Sequence, residues 1–583
     1  MKTGNYFKIL ILGLMAIFNP LNAHTQSYEW FENYGSSSAA FGEGGNGITS
    51  QTISGESYSW TVGRINGTST VGGFSLSEGA FIAAFDENGT CVAAKNIKSY
   101  TGVNLPANSN AYAIESRFLH PVGANLYITG NYIEGSVYKI YVANFTFTVS
   151  GGTFTLNQIE SNFYVAKSND QCLSRAIDVC SEGIFITGRF TSSLQTYKLP
   201  EEAGALLTTY DDEGGEYEAF VIRLSLNTFE KLGVMRTISS IRAEGLGIAA
   251  IDNSKVCITG FYEGNISFKK ATKVVSYINL ATSENSDIFI AKPLFSGTGV
   301  LNAGFSWAKR AYSNSTDPIF NEEECESGRD VVMDEPGNYV YLTGQVKNTA
   351  ATFGALGFTS DGDDDAFIAK YQVTTGAEQW VTNLNNDNTL YKFIGKGVDI
   401  SGEYLYVCGA QFWAKVSTSG VISSVNLMET YGVITGGSEG RSICVNTSDA
   451  LYYTGVVADG TIIGPPIQTI DCAGIYDVFT AKIYDADILK SSPPANLNAE
   501  SKQQLIFNPT IITDHAFLSL AGEIKEETIG DFRIYNESGS LVEYIKQIDL
   551  NNYTYNCNLD PGFYIYEISN LQGSVFTGKF VKQ

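Results

Sequence analysis

Residues 328–344 read GRDVVMDEPGNYVYLTG, and residues 366–384 read AFIAKYQVTTGAEQWVTNL. The two stretches contain four short runs rich in β-branched and aromatic residues, and Gly, Pro, Asn and Asp separate these runs. Such runs are typical of β-strands, and the residues between them are typical of tight turns. This part of the chain therefore predicts a four-stranded antiparallel meander.

The same unit recurs along most of the chain. Its second run ends at a Gly, usually after Thr, and a third run similar to AFIA at 366–369 follows each ending. The seven endings are Gly63, Gly130, Gly188, Gly260, Gly344, Gly409 and Gly455. Repeated four-stranded sheets bury their faces by packing radially as blades. We therefore predict an all-β chain with a seven-bladed β-propeller at residues 24–490.

The N-terminal segment is predicted to close the ring. The seventh copy has no fourth run after residues 478–484, because the chain continues into a stretch rich in Ser and Pro. Residues 28–34, before the first copy, read YEWFENY, with Trp30 in the place that Trp307 and Trp380 occupy in later fourth runs. Since an unpaired edge strand promotes aggregation, we expect residues 28–34 to complete the seventh blade.

The repeat resembles a known bacterial family. Residues 328–344 and 366–370, followed by Trp380, are similar to the SBBP-type β-propeller repeat, and the resemblance extends over roughly residues 28–485. It implies a propeller and a secreted location, but no fixed activity. The first two copies depart most from the pattern, since they lack the Gly-rich start and the Lys after the third run.

The N-terminus predicts export from the cytoplasm. Lys2 and Lys8 precede the apolar run at 9–18, and small or polar residues follow it. This is the pattern of a signal peptide, which we assign to residues 1–23. The run is too short to span a bilayer, and no later run is long and apolar enough to do so. We therefore predict no transmembrane segment.

The C-terminus has a different pattern. Residues 491–501 are rich in Ser, Pro, Asn and Ala and are predicted to be a linker. Residues 502–583 alternate short strands with turns, which predicts a small Ig-like β-sandwich. This segment resembles the type A C-terminal sorting domain of the type IX secretion system of Bacteroidota. The matching residues are Asn508, Pro509, Gly539, Pro561, Gly562, Lys579 and Lys582.

The sorting-domain resemblance implies a partner and a location. The type IX secretion machinery would recognise residues 502–583 and carry the protein across the outer membrane. The domain would then be removed, and the remaining protein would be attached to the cell surface or released.

Charge and histidine content exclude several classes of function. The chain has 583 residues with 37 Lys and Arg against 61 Asp and Glu, a net charge of −24. This charge argues against nucleic-acid binding and against attraction to an anionic membrane. The chain has 3 His, namely His24, His120 and His515. A His-based triad or a multi-His metal site is therefore not expected.

The cysteines are predicted to be structural. Nine are present, without a zinc-ligand pattern. Four of them fall on predicted strands, where we expect buried free thiols that pack as small apolar side chains: Cys180, Cys257, Cys408 and Cys444.

Acidic loops are the remaining candidates for chemistry. Glycoside hydrolysis needs two carboxylates at a suitable separation, and acidic clusters stand at residues 211–213 and 361–365. Asp361, Asp363 and Asp365 are also candidate calcium ligands, although EF-hand spacing is missing. Because such loops are more often solvated, we expect no catalytic residue and no cofactor apart from this calcium.

Four basic residues mark the predicted ligand site. They stand just before or at the first run of their copies: Arg175, Arg329, Lys396 and Arg441. In a propeller the first strand is innermost, and it starts on the face that carries the connections between second and third strands. Those connections are long at 190–215, 261–286, 345–363 and 456–475, and almost absent in the sixth copy. Long loops on a rigid ring often bind ligands.

Two interpretations of these basic residues stay open. They line the mouth of the ring and bind an anionic ligand such as an acidic glycan, or each pairs with a nearby acid such as Glu326, Asp330 or Glu439. A second set of basic residues, at the end of the third run, recurs with the blade and is interpreted as structural: Arg223, Lys292, Lys370, Lys415 and Lys482.

Together these observations favour a secreted or surface-exposed binding protein that recognises a glycan or protein partner without catalysis. One alternative is an extracellular polysaccharide-degrading enzyme that uses acidic loop residues. Another is a purely structural, adhesive surface layer.

Overall fold

The computed structural model describes the chain from residue 27 to residue 582, apart from a set of segments. These are residues 38–42, 100, 120–122, 169–170, 192, 199–205, 209–215, 270–276, 282–285, 296–303, 314–325, 335, 348–349, 361–363, 385–393, 411, 428, 431–437, 447–449, 464–467, 485–503, 509–510, 513–514, 522–528, 537–540, 550–552, 557–558, 560–561 and 571–574. The chain divides into two compact units, Met1–Ser491 and Ser492–Gln583. The predicted signal peptide and linker lie outside the described residues.

The regular elements of the first unit, within the described residues, are β-strands. They are β1 (Ser27–Tyr34), β2 (Gly44–Ile53), β3 (Glu56–Ile65), β4 (Ser69–Val71), β5 (Phe74–Leu76), β6 (Gly79–Phe85), β7 (Cys91–Asn96), β8 (Asn110–Leu119), β9 (Gly123–Glu134), β10 (Val137–Ser150), β11 (Thr153–Ser168), β12 (Cys172–Cys180), β13 (Gly183–Phe190), β14 (Ser193–Lys198), β15 (Leu206–Thr208), β16 (Glu218–Leu224), β17 (Lys231–Ser239), β18 (Arg242–Asp252), β19 (Lys255–Glu263), β20 (Ile266–Lys269), β21 (Tyr277–Leu280), β22 (Ser286–Leu294), β23 (Gly304–Ser313), β24 (Ser327–Met333), β25 (Tyr339–Val346), β26 (Ala350–Phe353), β27 (Leu356–Thr359), β28 (Asp365–Gln372), β29 (Glu378–Asn383), β30 (Gly395–Ser401), β31 (Tyr404–Gly409), β32 (Phe412–Ser417), β33 (Ile422–Leu427), β34 (Glu429–Thr430), β35 (Glu439–Val445), β36 (Leu451–Ala458), β37 (Thr461–Ile463), β38 (Gln468–Thr469) and β39 (Tyr476–Tyr484).

Seven antiparallel sheets form the blades of a β-propeller. From the innermost strand outwards they are blade 1 (β2-β3-β6-β7), blade 2 (β8-β9-β10-β11), blade 3 (β12-β13-β16-β17), blade 4 (β18-β19-β22-β23), blade 5 (β24-β25-β28-β29), blade 6 (β30-β31-β32-β33) and blade 7 (β35-β36-β39-β1). Each innermost strand contacts the innermost strands of both neighbouring blades, and the contact between β35 and β2 closes the ring. The predicted seven-bladed propeller is confirmed.

The predicted closure through the N-terminal segment is also confirmed. Strand β1 pairs antiparallel with β39, so that Tyr34 lies opposite Val478 and Tyr28 opposite Ile483. The first described strand of the chain is thus the outer strand of the last blade.

Three equivalent tryptophans on the outer strands of blades 4, 5 and 7 join these blades to the ones that follow them. The indole Nε1–H of each donates to a backbone carbonyl in the following blade: Trp30 to Glu87 at 3.0 Å, Trp307 to Val373 at 2.9 Å and Trp380 to Thr418 at 3.2 Å. Trp30 therefore occupies the place that the sequence pattern predicted for it, and it makes the contact between blade 7 and blade 1.

The Thr–Gly ending of the second strands has a physical cause. The Thr hydroxyl donates to a carbonyl of the third strand, as from Thr343 to Phe367 at 2.8 Å. The Gly lies where the first strand comes too close for a side chain, since a Cβ on Gly344 would stand 1.9 Å from the carbonyl oxygen of Ser327. The other six glycines of the set have the same approach, at 1.8–2.0 Å. The repeated Gly is therefore a packing requirement.

Several connections between second and third strands form β-hairpins that leave their own blade. The hairpin β14-β15 arises from blade 3 and pairs on β11 of blade 2. In the same way β20-β21 of blade 4 pairs on β17, and β26-β27 of blade 5 pairs on β23. Blades 2, 3 and 4 therefore extend to six strands, where the sequence predicted loops. Blade 6 sends out no hairpin, because β31 ends at Gly409 and β32 begins at Phe412, as predicted.

The hydrophobic core lies between the blades. One cluster joins Ile290 of blade 4 to Val331, Leu342 and Phe367 of blade 5. Apolar side chains from facing sheets thus bury each other, which gives each blade a partner on both sides. The four strand cysteines belong to these layers as buried free thiols, as predicted: Cys180, Cys257, Cys408 and Cys444.

The basic residues that end the third strands have structural partners. The ammonium of Lys370 lies 4.0 Å from the centre of the Tyr339 ring and donates to the carbonyl of Thr418 in the next blade at 3.2 Å. Lys415 lies 4.2 Å from the ring of Tyr404. Arg223 donates to the carbonyl of Glu182, and Lys482 forms an ion pair with Glu29.

The second unit contains strands β40 (Gln504–Asn508), β41 (Ile511–Ile512), β42 (His515–Ala521), β43 (Ile529–Asn536), β44 (Leu541–Asp549), β45 (Tyr553–Asn556), β46 (Gly562–Asn570) and β47 (Val575–Lys582). They form the sheets β40-β42-β45 and β41-β47-β46-β43-β44. The Ig-like sandwich stays a prediction. Of the predicted sorting residues, Asn508 ends β40, Gly562 begins β46, and Lys579 and Lys582 lie in β47. Pro509, Gly539 and Pro561 lie outside the described residues.

The described residues contain no helix that is long and apolar enough to cross a membrane.

Candidate functional site

Each innermost strand carries a β-bulge close to its start. A bulge leaves one extra residue out of the strand pairing and re-aims its side chain. We call the seven extra residues the bulge ring: Asn46, Tyr112, Arg175, Leu246, Arg329, Lys396 and Arg441. All seven line one cavity of about 420 Å³ between the innermost strands, which we call the channel.

The structure brings together the four basic residues that the sequence singled out. Arg175, Arg329, Lys396 and Arg441 are the bulge residues of blades 3, 5, 6 and 7, so they stand at equivalent heights in the channel. Their role in binding stays a prediction. The sequence analysis missed the other three members of the ring, which are uncharged: Asn46, Tyr112 and Leu246.

A polar network joins blades 6, 7 and 1 at the bulge ring. The carboxylate of Glu439 forms ion pairs with the ammonium of Lys396 and, at 3.0 Å, with Nε of Arg441. Arg441 also donates from Nη1 to Oδ1 of Asn46 at 2.7 Å. Glu439 is one of the acids that the sequence proposed as partners. The network holds both basic side chains in fixed positions.

The protonation of this network follows from its charges. Burial raises the pKa of Glu439, but the neighbouring Lys396 and Arg441 outweigh it and bring the pKa down to about 2. Burial also lowers the pKa of Lys396, Glu439 opposes this, and the positive charges of Arg441 and Arg329 lower it further. Three positive charges therefore act on one another across blades 5, 6 and 7.

A second network joins blades 3 and 4. The carboxylate of Glu244 is fully buried and is held by two arginines of blade 3, Arg175 at 2.5 Å and Arg189 at 3.0 Å. The guanidinium of Arg175 also lies 5.1 Å from the centre of the Tyr112 ring in blade 2. The sequence analysis did not propose Glu244 as a partner.

The other two acids named in the sequence analysis have backbone partners. Glu326 accepts from the hydroxyl and amide of Ser313 and, at 3.1 Å, from the amide of Lys347. Asp330 accepts from the amides of Val331 at 2.9 Å and Val398 at 3.0 Å. Both carboxylates therefore tie one chain segment to another.

Three aspartates line the channel and connect neighbouring blades. Each accepts a hydrogen bond from a backbone N–H in the innermost strand of the next blade: Asp178 from Ala250 at 2.5 Å, Asp330 from Val398 at 3.0 Å and Asp399 from Val445 at 2.7 Å. Asp178 and Asp399 stand three residues beyond the bulge residues Arg175 and Lys396. At about 3.3 Å per residue, they lie roughly 10 Å deeper along their strands.

These aspartates are harder to ionise than usual. Burial raises the pKa of Asp178 to about 6, that of Asp330 to about 7 and that of Asp399 to about 6. The negative charge of Asp399 raises the pKa of Asp178 and that of Asp330 further. Perturbed acids in a cavity are candidates for catalysis. Here each one already accepts backbone hydrogen bonds, which gives it a structural role.

The predicted calcium ligands are only partly within the described residues. Asp361 and Asp363 lie outside them, as do the acids at 211–213. Asp365 is fully buried and accepts a hydrogen bond from the amide of Asn383 at 3.1 Å. Across the part of the chain that the structure describes, no group of three His, Cys, Asp or Glu is placed to hold a metal ion. The calcium site stays a prediction.

A second cavity, of about 710 Å³, lies among blades 5, 6 and 7. Asp334, Tyr339, Lys370 and Thr418 are among its lining residues. The ammonium of Lys370 already contacts Tyr339 and the carbonyl of Thr418 there. This cavity is therefore interpreted as a gap between blades that a structural lysine bridges.

Comparison with known proteins adds little to the geometry. No protein-family model matches the chain, and no curated protein matches it. Among solved structures, it has a match to dimeric latent PorU from Porphyromonas gingivalis, with 8% identity and a TM-score of 0.12. This match covers 75% of the chain and 42% of that protein. A TM-score this low carries no argument, so the fold rests on the strand pairing described above.

Proposed function

We propose that the chain is a secreted or surface-exposed binding protein whose β-propeller recognises a glycan or protein partner without catalysis. The observation that carries this proposal is the bulge ring. Seven bulges on a closed ring present seven side chains at one height of a cavity of about 420 Å³. Ligand pockets generally have volumes of about 300 to 1,000 Å³, with a few fixed polar groups that orient the ligand.

The absence of catalysis is proposed from how the channel carboxylates are used. Asp178, Asp330 and Asp399 each accept backbone amides from the next blade. A general acid or a nucleophile needs a carboxyl oxygen directed at substrate. The polysaccharide-degrading alternative instead relies on the acids at 211–213 and 361–365, most of which lie outside the described residues.

Export by the type IX secretion machinery is part of the proposal. Its support is the ordered set of residues from Asn508 to Lys582 at the extreme C-terminus, together with the signal-peptide pattern at residues 1–23. The mature propeller would then act outside the cell, either attached to the surface or released.

A binding-and-turnover screen tests the proposed function. The full chain is immobilised and exposed to neutral and acidic polysaccharides and to extracellular proteins, and each solution is then assayed for new reducing ends. We expect saturable binding without turnover. New reducing ends that require the acids at 211–213 would establish the enzyme instead. Failure of every ligand to bind would favour the structural surface layer.

A further inference from the structure

The positive charges of the bulge ring are concentrated on one side of the channel. Arg329, Lys396 and Arg441 belong to the consecutive blades 5, 6 and 7, and we call them the cationic sector. Lys396 and Arg441 share the single carboxylate of Glu439, so these three side chains together carry one net positive charge. Burial is the main cause of the lowered pKa of Lys396, and the positive charges of Arg441 and Arg329 add to it. The cationic sector can therefore attract an anion and donate charged hydrogen bonds to it.

The opposite side of the channel offers an aromatic face. In a ring of seven blades, blade 2 lies across from the junction of blades 5 and 6, so Tyr112 stands across the channel from the cationic sector. Arg175 stacks over the Tyr112 ring and shares the carboxylate of Glu244 with Arg189. Aromatic rings at binding sites pack against flat, partly apolar surfaces such as the face of a sugar ring.

The charge changes sign with depth. Asp178 and Asp399 lie roughly 10 Å beyond the bulge residues of their own strands, whereas Asp330 directly follows Arg329. An anionic group would therefore be attracted to the bulge ring and repelled by the carboxyls below it. Those carboxyls already accept backbone hydrogen bonds, and their remaining lone pairs, together with Thr49 and Gln51 in the same lining, can accept hydrogen bonds from hydroxyl donors. This order of charges suits a ligand that combines one carboxylate with several hydroxyls.

We propose that the channel mouth binds a carboxylate-bearing sugar residue of an acidic polysaccharide. The carboxylate lies on the cationic sector, the sugar ring packs on Tyr112, and its hydroxyls point towards the deeper acceptors. This inference rests on the proposed binding function and names its site and ligand class. An acidic peptide would satisfy the cationic sector but would bring few hydroxyls to the acceptors below it.

Calorimetric titration of the full chain with a galacturonate hexamer tests the inference. The methyl-esterified hexamer, which has the same sugars without the charge, is the ligand control. The variants are Arg329→Gln, Arg329→Gln with Lys396→Gln, and Tyr112→Ala. Lys309→Gln is the protein control, because it removes the same charge from the outer strand of blade 4. Thermal melts establish that each variant is folded.

We expect the acidic hexamer to bind, and its affinity to fall as salt rises. Arg329→Gln removes a charged hydrogen-bond partner and should lower the affinity about tenfold or more. The double variant should lower the affinity further. Lys309→Gln should stay within about twofold of the parent, since exposed charges contribute little.

Several results would overturn the inference. Equal binding of the esterified hexamer would remove the role of the carboxylate, and equal binding of hexaglutamate would remove the preference for a sugar. Binding that is insensitive to the three channel variants would move the site elsewhere and leave the proposed binding function intact. Absence of binding to every polysaccharide and protein in the earlier screen would defeat the binding function as well.

Discussion

Arg441 in blade 7 donates a hydrogen bond to the side-chain oxygen of Asn46 in blade 1, at 2.7 Å and across 395 positions of sequence. The same two blades also meet through Ser442, whose hydroxyl accepts from the amide of Ile48 at 3.3 Å. Strand β1 supplies the outer connection of the same junction. The ends of the propeller are thus joined twice, once inside the channel and once at the rim.

Replacement of Trp30 tests the outer connection. Trp30 packs on Phe85, with 5.9 Å between ring centres, and donates to the carbonyl of Glu87. It is half-buried, so Trp30→Ala should lower the free energy of unfolding by about 2 to 4 kcal/mol, towards the lower part of the usual range for a large aromatic. Chemical denaturation measures the change. The exposed Glu230→Gln in blade 3 is the control, and equal stability of both variants would contradict the role of Trp30.

Replacement of Gly344 tests the cause of the Thr–Gly pattern. A Cβ at this position would stand 1.9 Å from the carbonyl of Ser327, whereas a Cβ at Gly357 meets nothing within 4 Å. Gly344→Ala should therefore destabilise the propeller by about 3 kcal/mol, because the first strand must move. Gly357→Ala should be nearly neutral in the same denaturation experiment. A neutral result at Gly344 would show that the bulge can shift without cost.

The channel aspartates predict a pH dependence of stability. The raised pKa values of Asp178, Asp330 and Asp399 mean that the folded state holds more protons than the unfolded state between about pH 4 and 7. Stability should therefore fall as the pH rises through this window. Glu326 and Glu218, whose pKa values are raised by burial to about 7, act in the same sense.

Melting temperatures between pH 4.5 and 7.5 measure this effect. We expect the melting temperature to be higher at pH 5.5 than at pH 7.5 by a few degrees, since about 1 kcal/mol shifts it by roughly 2 to 4 °C in a mid-sized domain. Asp330→Asn removes one titrating group and should flatten the profile, even though the amide replaces one acceptor by a donor. Glu439, with its pKa lowered to about 2, contributes the opposite slope only below about pH 4.5. A rising profile from pH 5 to 7 would contradict the prediction.

Truncation tests the proposed export signal. Removal of residues 502–583 should leave the propeller folded, because its blades have their own core between them. The truncated protein should accumulate in the periplasm, since the proposed address is lost. Fractionation and surface labelling, compared with the full chain, measure the distribution. Normal surface display of the truncated protein would refute the role of this segment.

The number of blades and the closure of the ring by residues 28–34 could be predicted from the sequence, because both depend on residues that recur at fixed positions of the repeat. The Gly of each Thr–Gly ending is needed for packing, and Trp30, like Trp307 and Trp380, donates to a backbone carbonyl of the following blade. The four basic residues of the channel were found for the same reason, because they recur at one position of the repeat.

The uncharged bulge residues, Glu244 and the hairpins were not predicted, because they leave no recurring charge at one position of the repeat. Tyr112 and Leu246 share the position of Arg329 in the repeat. Six of the seven bulge residues stand between two small residues, as Tyr112 does between Ala111 and Ala113, and this pattern finds them without reference to charge. Glu244 was missed because its partner Arg175 is distant in sequence and close only in the ring. The hairpins were read as loops, since strands of three to six residues leave too little pattern to recognise.

The hairpins that pair with a neighbouring blade also determine how the ring resists opening. Blades 3, 4 and 5 each contribute a hairpin that pairs with the outer strand of the preceding blade. Two blades joined in this way cannot separate until the hydrogen bonds of the hairpin are broken. Between blades 1 and 2 the side chain of Gln158 spans the gap by bonding to the backbone of Lys98. Among the described residues no hairpin bridges blades 5 and 6. Their junction is held by hydrogen bonds of Trp380, Lys370 and Asp330, and it borders two members of the cationic sector. A ligand bound to Arg329 and Lys396 would therefore add a link between these two blades, and hydrogen exchange in their innermost strands should slow when it binds.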